Sequence, residues 1–209
     1  MSRARLAVWG LPAILYAAFW LWYTPILGPL TSEEIDEIVE SALAGGDDGA
    51  AARILRFFEE DDGRSFVMVN LLDMADSPPA LPATGPGADA SALLDHYMEY
   101  MYPALFARAS HPVFVGRAIF ESVDVVGIDG AERWDTGALM RYRSRRDLWK
   151  IASHPSFTDR HDYKIAALDK TIAFPVAPQL LPGDPRLILA LALLALAGVL
   201  DALFARRRS

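Results

Sequence analysis

Four histidines, His96, His111, His154 and His161, are the side chains of this 209-residue chain best placed by type for proton transfer near neutral pH. No two of them stand at HExxH or another compact ligand spacing, so the sequence indicates no metal. His111 and His154 each precede proline, which reads as turn chemistry. His96 lies beside Tyr97 and one helical turn before Tyr100, a candidate acid–base or haem ligand, with a purely structural histidine as the alternative. Asn70 interrupts an apolar strand-like run and is a candidate ligand or oxyanion donor, or else a bond to a neighbouring strand. Arg141 belongs to the run Arg141, Arg143, Arg145, Arg146 and Lys150, which could grip a carboxylate or lipid phosphate or could form a solvated face with local ion pairs. Paired carboxylates such as Asp61-Asp62 sit in a turn and read as solvated. The absence of cysteine excludes disulfides, thiolate metal sites and a cysteine nucleophile. No G-x-S-x-G, P-loop or dinucleotide fingerprint is present. The sequence identifies no cofactor.

The elements that would carry these residues follow from periodicity. Thr31 and Glu34 fit a capping box, and Ile35, Ile38, Val39, Ala42 and Leu43 form a helical stripe stopped by Gly45-Gly46. A second short amphipathic helix shows Ala51, Ile54, Leu55 and Phe58 on one face. From Ser65, FVMVNLL is a strand, and the Pro- and Gly-rich segment after it a loop. Leu93, Tyr97, Met101 and Leu105 mark a helix over 92–109, which Pro103 is expected to kink. Strands are predicted over 113–126 and 132–143 with Gly127-Ile128-Asp129-Gly130 as their turn, then helices from Ser144 through Ser153 and near 157–169, and a last strand over 171–176. In the first strand, period two sets Phe66, Met68, Asn70 and Leu72 against Val67, Val69 and Leu71. The all-aliphatic set is expected to meet the helices and the Phe66/Met68/Leu72 face to lie bare. The order strand, helix, strand, strand, helix, strand is the split βαβ of an α+β, ferredoxin-like domain.

Composition and charge bound the rest. At 53% hydrophobic and 22% charged residues the chain is not intrinsically disordered, and a net charge of −7 disfavours nucleic acid as a partner. Between Arg5 and Glu33 no side chain is charged, which is long enough for a membrane span with Trp20, Trp22 and Tyr23 as an interfacial belt. A cleaved signal peptide is the rival, disfavoured by the bulky residues that end the run. At the other end Asp184-Pro185 opens an apolar segment whose length to Ala205 is about 31 Å at helical rise. Asp201 opposes insertion by about 3 kcal/mol, and eleven Leu, Ile, Val and Phe residues at roughly 0.3–0.6 kcal/mol each outweigh it. Arg3 and Arg5 precede the first segment, and Arg206, Arg207 and Arg208 follow the second. The positive-inside rule then places both termini in the cytoplasm and the acidic centre outside it, in a periplasm where one exists, with Arg186 the one dissenting charge. The expected organisation is a transmembrane helix over 6–27, an amphipathic helical linker over 31–62, a ferredoxin-like domain over 65–177, and a transmembrane helix over 185–205.

From Phe66 to Val176 the chain resembles the dimeric α/β-barrel superfamily, in which two ferredoxin-like protomers pair their sheets. The resemblance is carried by VMVNLLDM, HYMEYMYPAL, PVFVGRAIF, WDTGALMRYRSRRDLWKIASHPSF and DRHDYKIAALDKT. It implies a homodimer and a barrel cavity, and the superfamily includes cofactor-free monooxygenases, isomerases and haem enzymes. On that basis Asn70, His96, Tyr100 and Arg141 are the expected catalytic residues, and Met68, Tyr97, Arg117, Trp134 and Tyr142 are expected to bind the ligand. Two functions follow: a membrane-tethered protein that binds or oxidises a small organic molecule, or a non-catalytic accessory subunit of a membrane complex.

Overall fold

A computed structural model describes residues 3–43 and 48–206, which form α1 (Arg3–Tyr23), α2 (Ser32–Leu43), α3 (Asp48–Glu59), β1 (Phe66–Met74), α4 (Ala90–Ala107), β2 (His111–Arg117), β3 (Thr136–Tyr142), α5 (Arg145–Ala152), α6 (Pro155–Ala166), β4 (Leu168–Val176) and α7 (Pro185–Arg206). Gly45-Gly46, Arg207 and Arg208 lie outside the described residues. Residues 27–178 make one compact unit; 1–26 with 179–209 make another.

In the larger unit the helices begin where side chains satisfy their first amides. Thr31 and Glu34 form the expected reciprocal box, the Thr31 amide donating to Glu34 at 2.8 Å and the Glu34 amide to Thr31 at 3.3 Å. Asp89 caps α4, Ser144 caps α5, and His154 Nδ1 accepts from the Ser156 amide ahead of Pro155 in α6. Pro103 sits inside α4, which continues to Ala107.

The sheet is wholly antiparallel in the order β2-β3-β1-β4, the ferredoxin-like topology. Its faces are the reverse of the sequence expectation. Phe66, Met68, Met140 and Tyr142, paired across β1 and β3, pack with Leu93, Tyr97, Met101, Leu105 and Ile151 in the main core. The helices therefore cover the Phe66/Met68 face, and the aliphatic Val69 and Leu71 lie on the open one. There they share a side with Leu139, Phe114, Ile172 and Phe174 by register. Aromatic rings fill the depth between sheet and helices: Phe66 stacks on Tyr142 at 5.3 Å, and Tyr97 meets Phe157. Gly116 has no side chain because the Phe114 ring occupies its space; a Cβ there would stand 2.7 Å from Phe114 Cζ.

The β2–β3 ladder is also shorter than expected. It ends at Arg117 and Thr136, and 118–135 is a loop pinned by Ala118 N–H to Asp135 O and Ser122 N–H to Glu132 O. Ile119, Phe120, Val123 and Val126 suggested strand, yet they are 99, 80, 91 and 91% exposed. With no further strand and no helix against it, β propensity alone does not sustain a two-stranded extension.

The segment before the sheet folds onto it. Leu30, Ile38 and Phe58 form a second core with Leu148 and Trp149 of α5. Two arginines clamp this layer. Arg146 donates to both Glu34 oxygens (2.5 and 2.8 Å) and to the carbonyls of Gly28 and Pro29. Arg145 lies over the Phe57 ring, donates to the Phe57 carbonyl and pairs with Asp61 at 3.5 Å. Asp61 itself is buried and accepts from the Leu30 and Gly63 amides, so the solvated-turn expectation is corrected for this carboxylate. Gly63 is held at φ +72° with Gly28 only 2.5 Å from where its Cβ would be, leaving no room for a side chain.

In the smaller unit α1 and α7 run antiparallel. Arg5 donates to both oxygens of Asp201 at 2.8 Å at one end, and Arg186 reaches Thr24 and lies over the Tyr23 ring at the other. Small and aromatic residues, Ala13, Tyr16, Ala190 and Ala197 among them, line a groove between the helices. Arg5–Tyr23 and Pro185–Arg206 are long and apolar enough to cross a membrane, and few of their residues are buried.

Candidate functional site

The α4–α6 seam over the sheet gathers the most chemistry in the larger unit. On α6, Phe157, His161 and Lys164 recur at helical spacing and face Tyr97 of α4. The Tyr97 ring is 6.0 Å from Phe157 and 6.3 Å from His161, with Lys164 Nζ 5.9 Å from its centroid. Phe157 in turn stacks on His161 at 5.0 Å. Tyr97 and Tyr142 are both buried, and burial pushes their hydroxyls up, Tyr142 to about 12, so both are protonated donors across the physiological range. Burial lowers His161, as does the neighbouring Lys164, which favours the uncharged imidazole. Burial lowers the Lys164 ammonium too, and no carboxylate in this seam pairs with it. The seam thus sets two groups whose charged forms burial disfavours, His161 and Lys164, against buried phenols at the edge of the main core.

Of the residues singled out in the sequence, Met68, Tyr97 and Tyr142 are brought together here. The others are dispersed. Asn70 is held in the sheet, its amide donating to Met68 O and Ala138 O, the neighbouring-strand alternative. His96 packs edge-on against Tyr163 at 4.5 Å with Nδ1 3.3 Å from Glu99. Tyr100 donates to Ile151 O and stacks on His154. Arg141 is buried across from His111, off the helix-covered face, and donates to Ala109 O at 2.7 Å. That bond steadies Ala109, at φ 50° the one non-glycine residue with positive φ among the described residues. Arg117 is exposed at the end of β2. Trp134 lies under Lys170, its indole N–H donating to Ala131 O.

The arginine run is neither a solvated face nor free for phosphate: Arg143 is bidentate to Asp147, and Arg145 and Arg146 are engaged as described. His161 and Lys164 escaped the sequence reading as a site. Their spacing with Phe157 was visible, but the facing Tyr97 is a tertiary fact.

No family model matches the chain, and no curated protein matches it. Among solved structures, RPA0582, a protein of unknown function from Rhodopseudomonas palustris, is similar at 16% identity, covering 64% of this chain and 95% of its own, with a TM-score of 0.50. Its methylated form gives 19% identity, 66% and 95% coverage, and a TM-score of 0.51. A dimeric ferredoxin-like protein of unknown function from Thermobifida fusca is 12% identical over 55% of this chain and 91% of its own, with a TM-score of 0.33. The likeness to RPA0582 is one of fold alone, and the strand order β2-β3-β1-β4 is what makes that fold ferredoxin-like.

Proposed function

We propose that the protein is a membrane-anchored homodimer whose ferredoxin-like domain binds a small organic molecule in the α4–α6 seam. The observation that carries this reading is the gathering of half-buried Lys164 and His161 on α6 against Tyr97 of α4, the ammonium 5.9 Å from the ring centroid, with burial lowering both groups. Lys164→Met is expected to raise thermal stability by about 1 kcal/mol while weakening retention of the co-purifying molecule at least tenfold. Native mass spectrometry and the visible spectrum of gently purified protein read both the molecule and any haem. A variant that keeps its ligand, or a wild type that carries none, defeats the reading.

The anchors are α1 and α7, with both termini cytoplasmic and the central domain on the far side. The charge distribution supports this: residues 28–184 hold all but one of the 27 acidic residues. The cysteine-free chain permits a direct test with single cysteines. A membrane-impermeant maleimide is expected to label Ser91→Cys in intact cells and to spare Ser2→Cys; the reverse pattern overturns the orientation.

The accessory-subunit reading has one observation in its favour, the exposed Ile119, Phe120, Val123 and Val126 of the β2–β3 loop. It predicts a stoichiometric membrane partner that is lost when these four become serine, with ligand retention unchanged.

A further inference from the structure

A second feature lies on the solvent side of the same seam and is independent of the interior site. Glu99, Tyr100 and Arg108 of α4 and its C-cap, with His154 and Arg160 of α6 and its N-cap, line an open cleft of about 410 Å³. Its charges do not balance. Arg160 and His96 share the single carboxylate, Glu99, at the long distances of 3.6 and 3.3 Å, and Arg160 Nε is buried with no hydrogen-bond acceptor. The Arg108 guanidinium donates to Ala104 O, the carbonyl one turn earlier in its own helix. His154 uses Nδ1 to accept from the Ser156 amide, which fixes its proton on Nε2 as a donor, and its ring is held flat against Tyr100 at 5.3 Å. Two guanidinium groups and an imidazole N–H thus line one concavity with a single carboxylate among them, and Arg160 Nε has no acceptor, beside the apolar surface of Pro103 and Ala104.

A buried donor with no acceptor costs free energy in the folded protein unless something supplies one. Guanidinium groups match oxyanions in geometry as well as charge, and the stacked Tyr100–His154 pair gives a flat wall for the organic part of such a ligand. From this geometry we infer that the cleft is an oxyanion site, recognising the phosphate or carboxylate of a small molecule through Arg108, Arg160 and His154. Glu99 acts as the competing internal anion that a ligand displaces.

The phosphate could belong to a soluble ester or to a lipid headgroup, and one titration separates them. Full-length protein in phosphatidylcholine nanodiscs is titrated with inorganic phosphate and with phenyl phosphate at constant ionic strength, read by isothermal calorimetry. Both are expected to bind, phenyl phosphate several-fold more tightly. Arg108→Gln and Arg160→Gln are each expected to weaken binding at least tenfold, and Glu99→Gln, at an exposed position, to tighten it about threefold. Phosphatidic acid in the nanodisc that competes with phosphate, and fails to do so in Arg108→Gln, assigns the site to a lipid headgroup; absence of competition assigns it to soluble ligands. No heat beyond that of chloride, or binding that both arginine variants retain, overturns the inference.

Discussion

Arg146→Ala is expected to lower the stability of the 27–178 unit by about 3 kcal/mol, the largest loss from any single side chain outside the main core. The guanidinium is 8% exposed and holds four acceptors at once, two from Glu34 and two from the backbone at Gly28 and Pro29. Its removal leaves the Glu34 carboxylate with only the Thr31 amide, takes a donor from each of two carbonyls, and loosens α2 from α5. Arg146→Lys restores charge without the planar fork and is expected to recover less than half the loss. Urea unfolding followed by Trp149 fluorescence measures this, and a change below 1 kcal/mol would show that the clamp is incidental.

The same pair gives a pH signature. Arg146 holds the Glu34 carboxyl down to about 2, against an ordinary value near 4.5. Its contribution is complete above the ordinary value and is lost as pH falls from there through about 2. Glu34 is nearly a third exposed, so solvent screening leaves about 1–2 kcal/mol of that contribution. Glu34→Gln removes the slope in this window.

Leu71→Asp is expected to convert a dimer to a monomer. Leu71 and Val69 stand on the central strand of the open sheet face, flanked by Leu139 on one side and Ile172 and Phe174 on the other, with Phe114 beyond. Phe114 and Phe174 are 55 and 45% exposed in the single chain, a large apolar area for a sheet to leave in water. A second copy laid on this face buries each leucine for about 2 kcal/mol, and a carboxylate at its centre reverses the sign in both copies. Light scattering of the detergent-solubilised protein gives the mass. Ile165→Asp, on an exposed position of α6, is the control that leaves the dimer intact. A monomeric wild type, or a dimer that survives Leu71→Asp, removes the sheet face from consideration.

The order of elements was legible because each boundary carries its own chemistry: Thr31 with Glu34, the Pro-Gly loop after β1, Ser144 ahead of α5. Which face of β1 looks inward was not. Phe66 and Met68 are as apolar as Val69 and Leu71, so alternation separates the two sets without ranking them; the Tyr142 ring stacked on Phe66, in one core with Tyr97 of α4, decides it. The β2–β3 extension failed for a related reason, since β-branched residues at 119–126 declare a preference that only a neighbouring strand can realise. For the site, Met68, Tyr97 and Tyr142 were expected around a barrel cavity on the bare face, and they stand together instead in the core under the helices. The polar residues opposite them could not be picked, because Lys164 and His161 acquire their character from burial, which no local spacing encodes.

The bond between Arg5 and Asp201 joins residues 196 positions apart. In a bilayer, neither α1 nor α7 carries its ion alone without penalty; each is the other's neutralising group. The arginine is made first and its counter-charge only after the whole 27–178 unit, so the bond is a clasp that cannot close until that unit has been synthesised.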